Sequence, residues 1–195
     1  MEALISLNEL DELQRLNAAR LIITSLPKYY QIFGIDSELM VSTVSKIIGV
    51  KGTEIERGIV LTSNHKVVGI LTNLNGKFLK RSWLIGIQMI SKLLPGNEAK
   101  LFKNHVKKYD ANIGEIPQDS LYISRIAVIK ECRSIGIGEK LIQACIKQEE
   151  KYNKDINCLS LHVDINNKRA VKFYLKNGFS IYSSNESYYT MLFNY

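Results

Sequence analysis

The stretch S-L-Y-I-S-R-I-A-V-I-K-E-C-R-S-I-G-I-G, Ser120 to Gly138, constrains the fold more than any other because it sets three kinds of backbone in a fixed order. Tyr122, Ser124, Ile126 and Val128 alternate with Leu121, Ile123, Arg125 and Ala127. β-Branched and aromatic side chains on much of both faces predict an interior strand. The run E-K-L-I-Q-A-C-I-K-Q-E-E-K-Y that follows is helical in pattern, with its first turn at Gly136 to Glu139. Between them Arg133, Gly136 and Gly138, spaced R-x-x-G-x-G, clear the turn of Cβ atoms, so several N–H groups can point at one ligand. Those amides and the positive end of the helix dipole favour a phosphate. The same spacing also serves a plain strand-to-helix turn, and the loop by itself does not choose between the two.

A later segment does. Leu159 to Phe179 reads L-S-L-H-V-D-I-N-N-K-R-A-V-K-F-Y-L-K-N-G-F: a short apolar strand, an Asn pair, a helix carrying Ala170 and Tyr174, then Gly178-Phe179. Here the chain resembles the GNAT superfamily of acyl-CoA-dependent N-acetyltransferases. The family's Q/R-x-x-G-x-G/A loop is met by Arg133, Gly136 and Gly138, and its N-x-x-A-x-x-x-Y-x-x-x-G-F segment by Asn167, Ala170, Tyr174, Gly178 and Phe179. Two motifs in the right order are far more specific than one. The resemblance covers Ser120 to Tyr195 well and the first 119 residues loosely.

It implies an α/β fold of the GNAT type: a mixed, mostly antiparallel sheet of six or seven strands with helices on both faces, in a single domain over residues 1–195. It implies acetyl-CoA as co-substrate, with the acetyl group passing to a primary amine by direct attack on the thioester. Arg133, Ser134, Ile135, Gly136, Ile137 and Gly138 would hold the pyrophosphate. The backbone of Ile126, Ala127 and Val128 would bind the pantetheine arm between two splayed parallel strands, and the N–H near Val128 would face the carbonyl oxygen. Asn167, or Asn166 if the register slips, would cap a helix and touch the pantetheine. A non-catalytic acyl-CoA sensor or interaction module is the alternative.

Acetyl transfer also needs a proton acceptor for the amine and a donor for the departing thiolate. Tyr174 stands where the family keeps its general acid, and a phenol with a reference pKa of about 10 is protonated at neutral pH. Its bland role is a ring packed under the sheet. Five positions before Asn167 the family often carries Glu, and here that position is His162. A neutral imidazole, with a reference pKa of about 6.5, can do the same work, directly or through water. The other role is a strand histidine beside Asp164; Tyr122, Ser124 or a water chain would then serve.

Upstream, Leu4, Leu7, Leu10, Leu13 and Leu16 recur every third residue, and residues 9–25 predict an amphipathic helix ending before Pro27. Pro27 then opens a short helix bearing Tyr29, Tyr30 and Phe33, for packing or for a substrate pocket. A further helix spans Ser37 to Ile48, capped by Asp36 or Ser37 and stopped by Gly49. Met1 to Leu7 is the candidate first strand. Gly58–Thr62 and Lys66–Asn73 flank a turn at S-N-H and predict a hairpin, with His65 exposed. Residues 80–118 read as two helices and a loop inserted between the third and fourth strands, with Lys100, Lys103, Lys107 and Lys108 on a solvated face. Phe179–Ser183 and Tyr188–Phe193 predict a closing hairpin.

Composition narrows the remaining classes. A hydrophobic content of 46% is ample for one core. The acidic start M-E-A-L-I-S-L-N-E-L-D-E-L lacks a signal-peptide pattern, and no run reaches the ~20 apolar residues of a membrane span. Cys132, Cys145 and Cys158 lack metal-ligand spacing and read as reduced thiols, pointing to a cytoplasmic protein. His65, His105 and His162 are far apart, so no metal site is expected. The net charge of +7 is scattered, which argues against nucleic acid and fits an anionic cofactor in part. The sequence leaves a homodimer open.

Overall fold

The computed structural model describes residues 2–32, 34–110, 114–152 and 156–194. One seven-stranded sheet runs through it in the order β1-β2-β3-β4-β5-β7-β6. The strands are β1 (Glu2–Ser6), β2 (Arg57–Ser63), β3 (Lys66–Asn75), β4 (Ser120–Val128), β5 (Cys158–Asp164), β6 (Ser180–Ser184) and β7 (Tyr188–Asn194). Every neighbouring pair is antiparallel except β4 with β5. Strand β4 lies inside the sheet, as its two-sided apolar pattern requires.

Helices cover both faces because strand residues alternate between them. Val60, Val67 and Ile70 pack with α1 (Glu12–Ser25), α2 (Pro27–Tyr30), α3 (Ser37–Ser45), α4 (Leu79–Leu93) and α5 (Gly96–Asp110). Their neighbours Ile59, Leu61, Val68 and Leu71 face α6 (Ile137–Tyr152) and α7 (Lys168–Lys176). The pair α4–α5 enters between the third and fourth strands, as the sequence predicts.

The evenly spaced leucines do not form one helical stripe. Leu4 lies in β1 and is 48% exposed, Leu7 is in a 3-10 turn, and Leu13 is 67% exposed on α1. Two capping boxes cut the pattern. Ser6 pairs reciprocally with Glu9, and Asp11 with Gln14, so the chain changes geometry twice before α1 begins. The helix capped by Asp36 stops at Ser45, short of Ile48, and Gly49 follows in a left-handed conformation. At the β2–β3 turn, Asn64 and His65 both have positive φ, the conformation that a tight two-residue hairpin demands. Tyr29 and Tyr30 are buried on α2, while Phe33 lies outside the described residues.

Candidate active site

Strands β4 and β5 pair at only three rungs, Ser120 with Cys158, Leu121 with Leu159 and Tyr122 with Ser160. The Ser120 and Ser160 hydroxyls hydrogen-bond at 2.6 Å at this closed end. Beyond it the strands part. The rest of β4 stays bonded to β3 and the rest of β5 to β7. A cavity of about 500 Å³ fills the opening, and its walls include Ile123 to Ile126 from β4 and Leu161 to Asp164 from β5.

The loop after β4 lies beyond this cavity. Among the described residues the backbone N–H groups of Ser134 to Glu139 donate to no protein acceptor, and the first helical bond runs from Lys140 N–H to the Gly136 carbonyl. Six consecutive free amides around a helix start suit a diphosphate. The two glycines serve different ends. Gly136 has φ +88 and open space around it, so it is required by the turn. A Cβ on Gly138 would stand 2.8 Å from Phe173 Cζ, so this glycine lets α7 pack against α6. Arg133 Nε donates to the Val128 carbonyl at 3.0 Å, which folds that side chain back along the strand end. A cation that sequence reading missed, Arg169 of α7, reaches the Ser134 hydroxyl at 3.4 Å.

The helix-start asparagine is Asn167: its Oδ1 accepts from Ala170 N–H at 3.1 Å, and it lines the cavity. Two turns further along α7, Tyr174 is buried and lines the same cavity, its ring edge-on to Phe173 and Phe179. Among the described residues its hydroxyl has no hydrogen-bond partner. Burial raises its pKa, so the phenol stays protonated at any ordinary pH.

His162 enters from β5. Tyr122 Oη lies 3.1 Å from His162 Nδ1, and Nε2 is buried beside Gly114 without a hydrogen bond of good geometry among the described residues. Desolvation pushes the imidazole down to about 4, against a smaller opposing effect of the Gly114 backbone. The ring is therefore neutral well below the value of about 6.5 from which the sequence reading started.

The remaining walls come from the first two thirds of the chain. Arg125, 5% exposed in the middle of β4, forms an ion pair with Glu54 and sits 5.8 Å from the ring centroids of both Tyr29 and Tyr30. Lys28 of α2 pairs with Asp164 at the end of β5. Leu79, Lys80 and Trp83 of α4 complete the lining. The sequence carried one clue to this cluster: an arginine inside an interior strand cannot stay buried without an anion. Burial pushes Cys145 up to about 12, an inert thiol. The four expected lysines of the insertion are exposed, and among the described residues no metal-holding cluster of His, Cys, Asp or Glu occurs.

Comparison with known proteins gives this arrangement a class. Residues 100–179 match the model of the acetyltransferase (GNAT) family. A 72-residue segment is 36% identical to the Probable N-acetyltransferase san of Drosophila melanogaster, covering 37% of this chain and 39% of that protein. The chain thus spans about two fifths of the length of the curated relatives it matches. The fold extends further than the sequence identity. The N-acetyltransferase from Staphylococcus aureus Mu50 superposes with a TM-score of 0.71 at 20% identity, covering 98% of this chain and 99% of that one. The PaiA N-acetyltransferase from Thermoplasma acidophilum, solved with coenzyme A, gives 0.58 at 14% identity over 100% and 99%. Residues 100–179 are thus similar to the GNAT acetyltransferase family, and the solved structures extend the likeness in fold to nearly the whole chain. Among the described residues no helix is long and apolar enough to cross a membrane.

Proposed function

We propose that the protein transfers the acetyl group of acetyl-CoA to a primary amine by direct attack on the thioester. One observation carries this reading: a protonated phenol, Tyr174, and a neutral imidazole hydrogen-bonded to a second phenol, His162 with Tyr122, line one cavity where two parallel strands separate. Acetyl-CoA supplies the activated acyl group. The parted edge of β4 at Ile126, Ala127 and Val128 offers main-chain partners to an extended pantetheine, and Asn167 retains an amide N–H₂ for it. The free amides of Ser134 to Gly138, with Arg133 and Arg169 nearby, take the pyrophosphate.

Desolvation at His162 has two consequences. It keeps the ring neutral, and the same dry surroundings favour the neutral form of an entering amine. Once the nitrogen is bonded to the carbonyl carbon it becomes far more acidic than the free ammonium, so a weakly basic acceptor is sufficient. His162, relayed through Tyr122 or a water, receives that proton. Tyr174 gives its own proton to the leaving sulfur. Its raised pKa does not forbid the step, because a thiolate emerging in the same buried groove is raised as well.

Thiol release with a mixed panel of amines, run beside calorimetric titration of acetyl-CoA, tests the reading. Turnover with at least one amine is expected. Tight acetyl-CoA binding without thiol release would replace the enzyme by an acyl-CoA sensor.

A further inference from the structure

The two helices inserted between β3 and β4 fix the acceptor wall. On α4, Lys80 and Trp83 stand three residues apart, hence on one face, and both line the cavity with His162 and Tyr174. Helix α5 braces α2 on its other side. Phe102, fully buried, meets Tyr29 edge-on at 6.1 Å between centroids, and His105 Nε2 lies 2.9 Å from the Lys28 carbonyl. Trp83 also lies near enough to the Tyr29 hydroxyl to oppose, slightly, the rise in pKa that burial causes.

The charges on this wall are already spent. Among the described residues, the two carboxylates lining the cavity, Glu54 and Asp164, are engaged by Arg125 and Lys28. Lys80 adds a cation with no ion-pair partner among the described residues. A second ammonium on the acceptor would therefore meet a like charge and, among the described residues, no free anion. An aromatic face does attract cations, but Lys80 beside Trp83 opposes that attraction. An apolar group on the acceptor, in contrast, finds Trp83, Leu79, Leu26 and Tyr29.

Resting on the reading of this cavity as an amine-acceptor site, we propose that the α4–α5 insertion selects the acceptor: a primary amine of single charge bearing a flat apolar group, with polyamines excluded. Wild type and variants are titrated calorimetrically with 2-phenylethylamine and with spermidine in the presence of coenzyme A, and thiol release is followed in parallel. Phenylethylamine should bind about tenfold tighter than spermidine, and Trp83→Ala should remove about tenfold of its affinity while acetyl-CoA affinity holds. Lys80→Glu should raise spermidine affinity by about threefold to tenfold. Leu84→Ala, on the 54% exposed side of the same helix, should change neither amine. Equal or tighter spermidine binding in wild type, binding of neither amine, or a Trp83→Ala variant that weakens both amines alike overturns the proposal. Selective amine binding without thiol release would instead overturn the transferase reading and leave this one standing.

Discussion

The two sides of the opening between β4 and β5 are built by different physical means. On the side proposed for the cofactor, main chain would do most of the work: free amides from Ser134 to Glu139 and a strand edge at Ile126 to Val128, beside the side-chain cap of Asn167. On the side proposed for the acceptor, side chains would do it, drawn from α2, α4 and residues far from β4 in sequence: Lys28 paired to Asp164, Glu54 to Arg125, and Trp83 beside them in the lining. Backbone recognition tolerates many sequences provided the turn is right. A side-chain cluster changes its ligand with each substitution. One scaffold can thus keep its acyl donor while its acceptor varies.

That contrast can be broken from several directions. Tyr174→Phe touches the chemistry where the two sides meet, and it should lower kcat by ~10²–10⁴ with acetyl-CoA affinity unchanged by calorimetry. A comparable loss of affinity would mean that the phenol serves binding. On the acceptor side, Arg125→Met leaves Glu54 buried without its cation and should cost ~3–5 kcal/mol in urea unfolding, most of which a second change, Glu54→Leu, restores. If the double variant stays as unstable as the single one, the ion pair is not what Arg125 contributes.

His162 sharpens the comparison through pH. Its ring is held near 4 when folded against 6.5 when free. Between those values the unfolded chain takes up a proton that the folded one refuses, so stability is full above pH 6.5 and falls as pH drops toward 4. The loss should approach about 3 kcal/mol and vanish in His162→Asn, read by urea unfolding at neutral and acid pH. A wild-type slope that survives the substitution would point to the carboxylates instead. The smallest effect belongs to the cofactor side. Gly138→Ala should destabilise by ~1–3 kcal/mol by pushing on Phe173, with acceptor selectivity intact.

The same division decides what could be read from the chain. The backbone of the side proposed for the cofactor was legible because its determinants are local: strand, glycine turn and helix lie in one run of sequence, and Asn167 to Phe179 in another. The inserted helices and both hairpins followed from periodicity and turn residues, the mixed sheet followed from the resemblance, and the strand order came only with the fold. The N-terminal leucines misled, because equal spacing says nothing of the caps at Ser6 and Asp11 that divide them among three elements. Of the proposed acceptor wall only Tyr29 was offered by the sequence, since Glu54 and Arg125 meet only after the sheet forms. His162 was found by position, but its depressed basicity comes from burial, which no motif encodes.

Three rungs of parallel pairing leave a seam in the middle of the sheet rather than at its margin. On one flank of it lie β1 to β4 with helices α1 to α6, and on the other β5 to β7 with α7. Any extended ligand lying there stitches the two flanks together, so slower amide exchange along β4 and β5 and a higher melting temperature should accompany saturation. If that ligand is the proposed acyl donor, the reactant itself would fasten the sheet in which it reacts.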